Sequence, residues 1–311
     1  MKSTDGTPTS ARLKSNATFK GSWFQLVRPM TWTGTLSPII AGSLYAGQLH
    51  HFDFTGFILV MLAALLIQSS ANMLNDYFDF RNGQDKERWT YIPDVKRRLR
   101  PVFQYIPYVA GVTFTIAIVL GIWLGNQYGW WVFVLGLIGI LAAAFYSAGQ
   151  KSLAAIGLGE TVGAIFLGLV PFLLGFFIQD SSVTPVVFIA ALPYILLISS
   201  MILTNNIRDI KKDEGFRRTV PMRTGRKAAV VLLRSLLIGA YAIVVVLAYF
   251  QELSWFVLVI FVAIPMGRKL WKAVSENANA NKRLRSMKYA ALHHWCFGLL
   301  YILGIGLGNF I

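Results

Sequence analysis

Residues 55–85 read TGFILVMLAALLIQSSANMLNDYFDFRNGQD. The run is apolar for long enough to cross about 30 Å of hydrocarbon, and it closes on Asn72, Asn75, Asp76 and Asp79. Read as helix, these four are spaced i, i+3, i+4 and i+7, so they share one face. Asp85 follows beyond Gly83, a residue that can end the helix. An uncompensated carboxylate near hydrocarbon costs roughly 2.5–3.5 kcal/mol even on the mild insertion scale. Several on one stripe repel one another unless something positive lies between them.

The rest of the chain repeats the apolar theme. Of its 311 residues 55% are hydrophobic and 14% charged, with a mean hydropathy of +0.56. A soluble domain carries roughly 25% charged residues. Nine apolar segments are expected, near 30–48, 55–75, 104–124, 129–148, 157–178, 184–205, 228–250, 253–267 and 290–310, the eighth being the shortest. The fold class is therefore an all-α polytopic membrane bundle of about nine transmembrane helices. Residues 1–20, rich in Ser, Thr and Lys and without an apolar run, read as a disordered cytoplasmic tail. Residues 21–311 read as one transmembrane domain.

Net charge is +15 from 29 Lys and Arg against 14 Asp and Glu. The basic residues sit in short connections rather than on one soluble face, so anionic lipid and an anionic substrate fit better than nucleic acid. The connections near 50–53, 125–128, 179–184 and 251–254 hold no Lys or Arg. The positive-inside rule then places the N-terminus and the basic connections in the cytoplasm, at the cell membrane, and the C-terminus outside.

A second acidic motif echoes the first. Residues 205–213 read NNIRDIKKD, and Asn206, Asp209 and Asp213 are spaced i, i+3 and i+7 beside Asn205 and Arg208. Both motifs end an apolar segment and precede a basic loop, which suggests two related halves. Oxygen ligands on facing helices, without His or Cys, point to a hard ion such as Mg²⁺. That ion is usually held by one or two carboxylates together with substrate phosphate. The Lys and Arg nearby suit such a phosphate. The single Cys296 reads as a structural thiol, and the pairs His50–His51 and His293–His294 as interfacial or packing residues.

With these motifs the sequence resembles the UbiA-type family of intramembrane aromatic prenyltransferases. The resemblance runs from Arg28-Pro29 and the stretch SPIIAG at 37–42, through NDYFDFRNGQD at 75–85, to NNIRDIKKD at 205–213 and the following Gly215, Arg218 and Gly225. The wording is similar to the branch that prenylates 1,4-dihydroxy-2-naphthoate in menaquinone synthesis, which shares Asp85, the Asn-Asn-Ile-Arg-Asp order and Tyr146 with Gly159-Glu160. Members of that branch usually carry a Gly-rich segment after the first motif; here residues 89–98 read WTYIPDVKRR, without glycine.

The resemblance implies a mechanism. Asn75, Asp76, Asp79 and Asp85, with Asn206, Asp209 and Asp213, are expected to hold Mg²⁺ on a polyprenyl diphosphate. Arg28, Lys151, Arg208 and Arg218 are expected to contact its oxygens, and Tyr146 to face the allylic cation formed when the C–O bond ionises. An aromatic acceptor then attacks, with loss of CO₂ if it is the naphthoate. Other aromatic acceptors (4-hydroxybenzoate, homogentisate, haem) remain open within the family. A non-catalytic member acting as a partner protein also stays open. From another class stands a cation-coupled transporter, whose carboxylates usually lie near the bilayer midplane.

Overall fold

The computed structural model describes residues 16–47, 52–91, 100–149, 152–179 and 184–309. The helices carrying the motifs are the longest: α2, Phe54–Arg81, and α6, Pro185–Asp213. At 1.5 Å per residue each is over 40 Å long, more than the hydrocarbon needs, and each carries its acidic motif in its last turns. Asp53 caps α2, accepting from the Gly56 N–H at 2.9 Å. Past its other end Gly83 takes a φ of +94°, which a Cβ would strain.

The other helices of more than ten residues among the described residues are α1 (Thr33–Tyr45), α3 (Ile106–Tyr128), α4 (Trp130–Ser147), α5 (Gly159–Gln179), α7 (Arg226–Tyr249), α8 (Ile264–Val274) and α9 (Ser286–Gly308). Within the described residues each of the nine expected segments carries helix. Among the described residues seven helices are long and apolar enough to cross a bilayer, and α1 and α8 are not among them. Helix α1 has 13 residues after a 3₁₀ turn at Pro29–Thr31, a reach of about 20 Å. The eighth segment begins as a 3₁₀ helix, Trp255–Ala263, and continues as the basic helix α8.

Helix α2 packs on α3 and α4, while α6 packs on α5, α7 and α9, and α1 lies between α5 and α9. The contact of α1 with α5 is backbone to backbone. A Cβ on Gly42 would lie 2.0 Å from the Phe172 carbonyl oxygen, and one on Gly175 would lie 2.2 Å from that of Ile39. Small residues that let helices touch this closely are the usual device where lipid removes the hydrophobic drive for association. Phe172, Tyr194, Leu233, Phe297 and Tyr301 fill the centre of the α5–α9 half. Outward, Ile116, Val119, Leu141, Phe145, Ile238 and Val246 are exposed, the surface of a multi-pass membrane protein facing acyl chains. Midway along α5, Ala164–Leu169 forms a π-helical turn ahead of Pro171, which has no N–H to give the ladder.

The connections without Lys or Arg gather at one end. The Tyr128 hydroxyl donates to Asp53, the Asp53 N–H donates to Gln179 at 2.8 Å, and Asn309 donates to the Leu44 carbonyl at 2.7 Å. Gly308 lies against Ser254. Both acidic motifs lie at the other end.

Of the tail expected over residues 1–20, the first fifteen lie outside the described residues, while Thr18–Phe19 form a strand. Strand β1 (Thr18–Phe19) pairs antiparallel with β2 (Trp89–Thr90), so order begins before residue 21. Phe19, Leu26, Phe80, Trp89 and Phe103 are buried together over the end of α2. Nothing in the Ser/Thr/Lys-rich composition announces this, because the partner strand comes from a distant loop. The expected packing role of His293 and His294 agrees with the fold: both are buried, His293 on the Tyr241 hydroxyl at 2.9 Å and His294 on Thr33 at 3.2 Å. Cys296 is half-buried and free.

Candidate active site

The last turns of α2 present the first motif toward the bundle interior. Asn72 donates to the Val27 carbonyl at 2.8 Å and to the Thr31 hydroxyl at 3.1 Å, tying α2 to the segment before α1. Asn75 accepts from the Ser147 hydroxyl at the end of α4. Asp76, 1% exposed, is paired with Arg28 at 2.5 Å and with Arg88. Arg28 adopts a left-handed φ of 55°, a costly backbone for a residue with a Cβ, and this turn aims its guanidinium at Asp76. Burial works against the charge on Arg28, but Asp76 outweighs it and holds the guanidinium above its ordinary pKa.

On α6, Arg208 grips Asp209 through two nitrogens at 2.7 and 2.5 Å and reaches the Asn205 oxygen at 2.8 Å. Asn206 donates to Glu160 at 2.7 Å. The same Glu160 oxygen accepts the Val220 N–H at 2.8 Å, so one carboxylate from α5 fixes both the Asn206 amide and the chain leaving the second motif.

Two cations bridge the motifs. Arg217, in the loop after α6, lies 2.8 Å from Asp79 and 3.9 Å from Asp213. Lys212 pairs with Asp85 and lies 3.3 Å from Glu87. Burial disfavours the charge on Arg217, yet Asp79 and Asp213 raise its pKa above the usual value. The two acidic helix ends therefore converge. Asp76 and Asp213 each retain a buried oxygen without a hydrogen-bond partner. Among the described residues no three His, Cys, Asp or Glu groups form a ready cage. Oxygen donors with spare lone pairs and no closed cage fit Mg²⁺, which takes only part of its shell from protein.

Below the carboxylates opens a cavity of about 290 Å³. Its polar mouth carries Asn72, Asn75, Asn205, Asn206, Arg217 and Tyr146. Its body is apolar, walled by α2, α4, α5 and α6 with Gly136, Gly139 and Gly163 leaving the room. About 16 Å of helix rise separates Asn75 at the mouth from Ala64 at the floor. An anionic group can thus sit among the charges while a long apolar chain lies in the body.

Of the expected site residues, Asn75, Tyr146 and Asn206 line the cavity, and Arg28 joins Asp76, and Arg208 joins Asp209, at the motif end. Asp79, Asp85 and Asp213 meet across the gap through Arg217 and Lys212. Arg218 does not join them. Its side chain is exposed while its backbone N–H bonds the Ala155 carbonyl, and the neighbouring Arg217 points inward instead. A loop residue after Gly215 has no helical phase, so the sequence could not distinguish the two. Lys151 lies outside the described residues. Arg88, Ser147 and Glu160 enter the site without having been expected there; only Glu160, a lone acid inside an apolar segment, gave a readable signal.

Comparison with known proteins agrees with this geometry. The model of the UbiA prenyltransferase family matches residues 35–296. The 1,4-dihydroxy-2-naphthoate octaprenyltransferase of Bacillus subtilis (strain 168) is 30% identical over 290 residues, covering 92% of this chain and 93% of that protein. The 2-carboxy-1,4-naphthoquinone phytyltransferase of Synechocystis is 25% identical, covering 91% of this chain and 92% of its own. In fold, the chain is similar to a UbiA homolog from Archaeoglobus fulgidus bound to GPP and Mg²⁺, with a TM-score of 0.58 at 14% identity, covering 90% of this chain and 99% of that one. A UbiA homolog from Aeropyrum pernix K1 gives a TM-score of 0.64 at 15% identity, covering 89% and 97%. With its acidic helix ends facing each other over an apolar cavity, and its family model matched over most of its length, the chain is a membrane prenyltransferase of the UbiA family.

Proposed function

We propose that the chain transfers a polyprenyl group from polyprenyl diphosphate to 1,4-dihydroxy-2-naphthoate. Diphosphate and CO₂ leave, and the product carries the demethylmenaquinone skeleton at the hydroquinone level. The observation that carries this reading is the row of carboxylates and guanidiniums closing the mouth of a deep apolar cavity. The likeness to a naphthoate octaprenyltransferase over nearly the whole chain supports the acceptor.

Asn75, Asp76, Asp79 and Asp85 on one side, and Asn206, Asp209 and Asp213 on the other, would hold Mg²⁺. When bound, the ion offsets the diphosphate charge and so eases departure of the leaving group. Arg217, which lines the mouth, and Arg28, Arg88 and Arg208, which pair with the acidic residues of the motifs, bind the diphosphate oxygens in this reading, with Lys151 as a further contact. The apolar walls exclude water from the allylic cation, and the Tyr146 ring at the mouth lends it a π face. The acceptor ring attacks, a C–C bond replaces the C–O bond, and the ring loses its carboxyl group as CO₂. The motif end faces the cytoplasm, and the N-terminus lies on that side of the cell membrane.

The test uses membranes containing the chain, Mg²⁺, a polyprenyl diphosphate and a panel of aromatic acceptors, with products read by mass. Decarboxylated prenyl-naphthoquinol is expected, and Asp79→Ala or Asp209→Ala should reduce it about a hundredfold. Full product from either variant sinks the site assignment, and prenylation of a different acceptor alone sinks the naphthoate.

A further inference from the structure

Among the described residues Arg234, on the lipid-facing side of the bundle, has no counter-charge. It lies eight residues into α7, whose first residue Arg226 donates to the Ile207 carbonyl at 3.1 Å and to that of Val274 at 3.3 Å. Those bonds fix the start of α7 at the motif end, so the Arg234 backbone sits about 12 Å deeper. Its neighbours Val231, Leu232 and Ile238 are exposed apolar residues, as expected of a surface against acyl chains.

Helical side chains lean toward the N-terminus, so Arg234 reaches back toward the interface. There its guanidinium lies 4.5 Å from the centre of the Trp271 ring of α8. Among the described residues it makes no hydrogen bond or ion pair, and its Nε is buried without an acceptor. A guanidinium stacked on an indole keeps its N–H donors in its own plane, and a phosphate takes them two at a time. The surrounding rim is basic. Arg268 and Lys272 share the face of α8 that carries Trp271, Lys269 stands beside them, and Lys227 lies two turns from Arg234 on α7. Glu276 sits 3.9 Å from Lys227 and makes no ion pair with Arg234.

We propose that Arg234 and Trp271, with the rim of Lys227, Arg268 and Lys272, form a headgroup site for an anionic phospholipid. The depth of Arg234 and its apolar flanks favour a lipid over a dissolved anion, since the acyl chains continue down the exposed face of α7. The site is remote in kind from the acidic motifs, and its test involves no prenyl transfer.

The experiment takes the purified full chain in detergent, stripped of lipid, and adds phosphatidylglycerol, phosphatidylcholine or inorganic phosphate. Thermal unfolding and native mass spectrometry read the binding. Phosphatidylglycerol is expected to raise Tm and stay bound, with little effect from the other two. Arg234→Gln should weaken phosphatidylglycerol about tenfold, while Lys282→Gln, a basic residue elsewhere at the same end, should not. Equal stabilisation by inorganic phosphate overturns the lipid assignment. So does an unchanged lipid preference in Arg234→Gln, or an equal loss in Lys282→Gln. Trp271→Leu keeps every charge and should cost about threefold. If Arg234→Gln fails to fold, unchanged binding in Trp271→Leu overturns the proposal.

Discussion

Arg217 and Arg218 are adjacent, equally basic, and unlike in what they touch. Arg217 bridges Asp79 and Asp213, whereas the Arg218 side chain is exposed. Replacing Arg217 by Gln leaves two acidic groups facing each other without their shared cation and removes a diphosphate contact. Turnover with saturating acceptor should fall about a hundredfold, and Arg218→Gln should stay within about twofold; steady-state kinetics of the two variants checks this. Glu160 works at one remove, holding Asn206 and the Val220 N–H on one oxygen. Glu160→Gln still offers an accepting oxygen, so its Mg²⁺ dependence should remain near native. Glu160→Ala releases Asn206 and should raise the Mg²⁺ requirement about tenfold. A Mg²⁺ titration of activity separates a positioning residue, rescued by Gln, from a ligand, which Gln would not rescue.

At the scale of elements, the α1–α5 contact is the least tolerant. Gly42→Leu drives a side chain into the Phe172 carbonyl, where even a Cβ has 2.0 Å, so the helices must separate. The expected result is loss of folded protein on size-exclusion chromatography. Gly111, on α3, has nothing within 4 Å of its would-be Cβ. Gly111→Ala should fold normally and gain up to about 1 kcal/mol of helix preference. The N-terminal strand makes a second element-level prediction. Removing residues 1–15 should leave activity intact, while removing 1–20 also takes β1 and its cover over Phe80 and Trp89. The longer truncation should therefore loosen the loop that carries Arg88 and lower diphosphate affinity, seen as a higher KM for the prenyl donor.

Across the whole molecule, one corridor is lined from several helices, and its length belongs to no single element. Ala64 and Gly136 line its far end and also border a smaller apolar space of about 60 Å³ between α2, α3 and α4. Filling that end with Ala64→Phe should leave short prenyl diphosphates as good donors and depress long ones about tenfold, measured by donor competition.

The chain's apolar lengths, charge asymmetry and i, i+3, i+4, i+7 spacing already dictated a helical membrane bundle with acidic ends on α2 and α6, because these are properties of one segment at a time. The separation of the basic connections from the uncharged ones was legible for the same reason, the Lys and Arg residues alternating from one connection to the next along the chain. Tertiary structure alone decided which guanidinium meets which carboxylate, that β1 pairs with β2, that the first segment forms a helix of only 13 residues, and that Arg234 ends on Trp271. Those outcomes depend on distances between segments far apart in sequence, set by glycine contacts and loop paths that no local periodicity encodes.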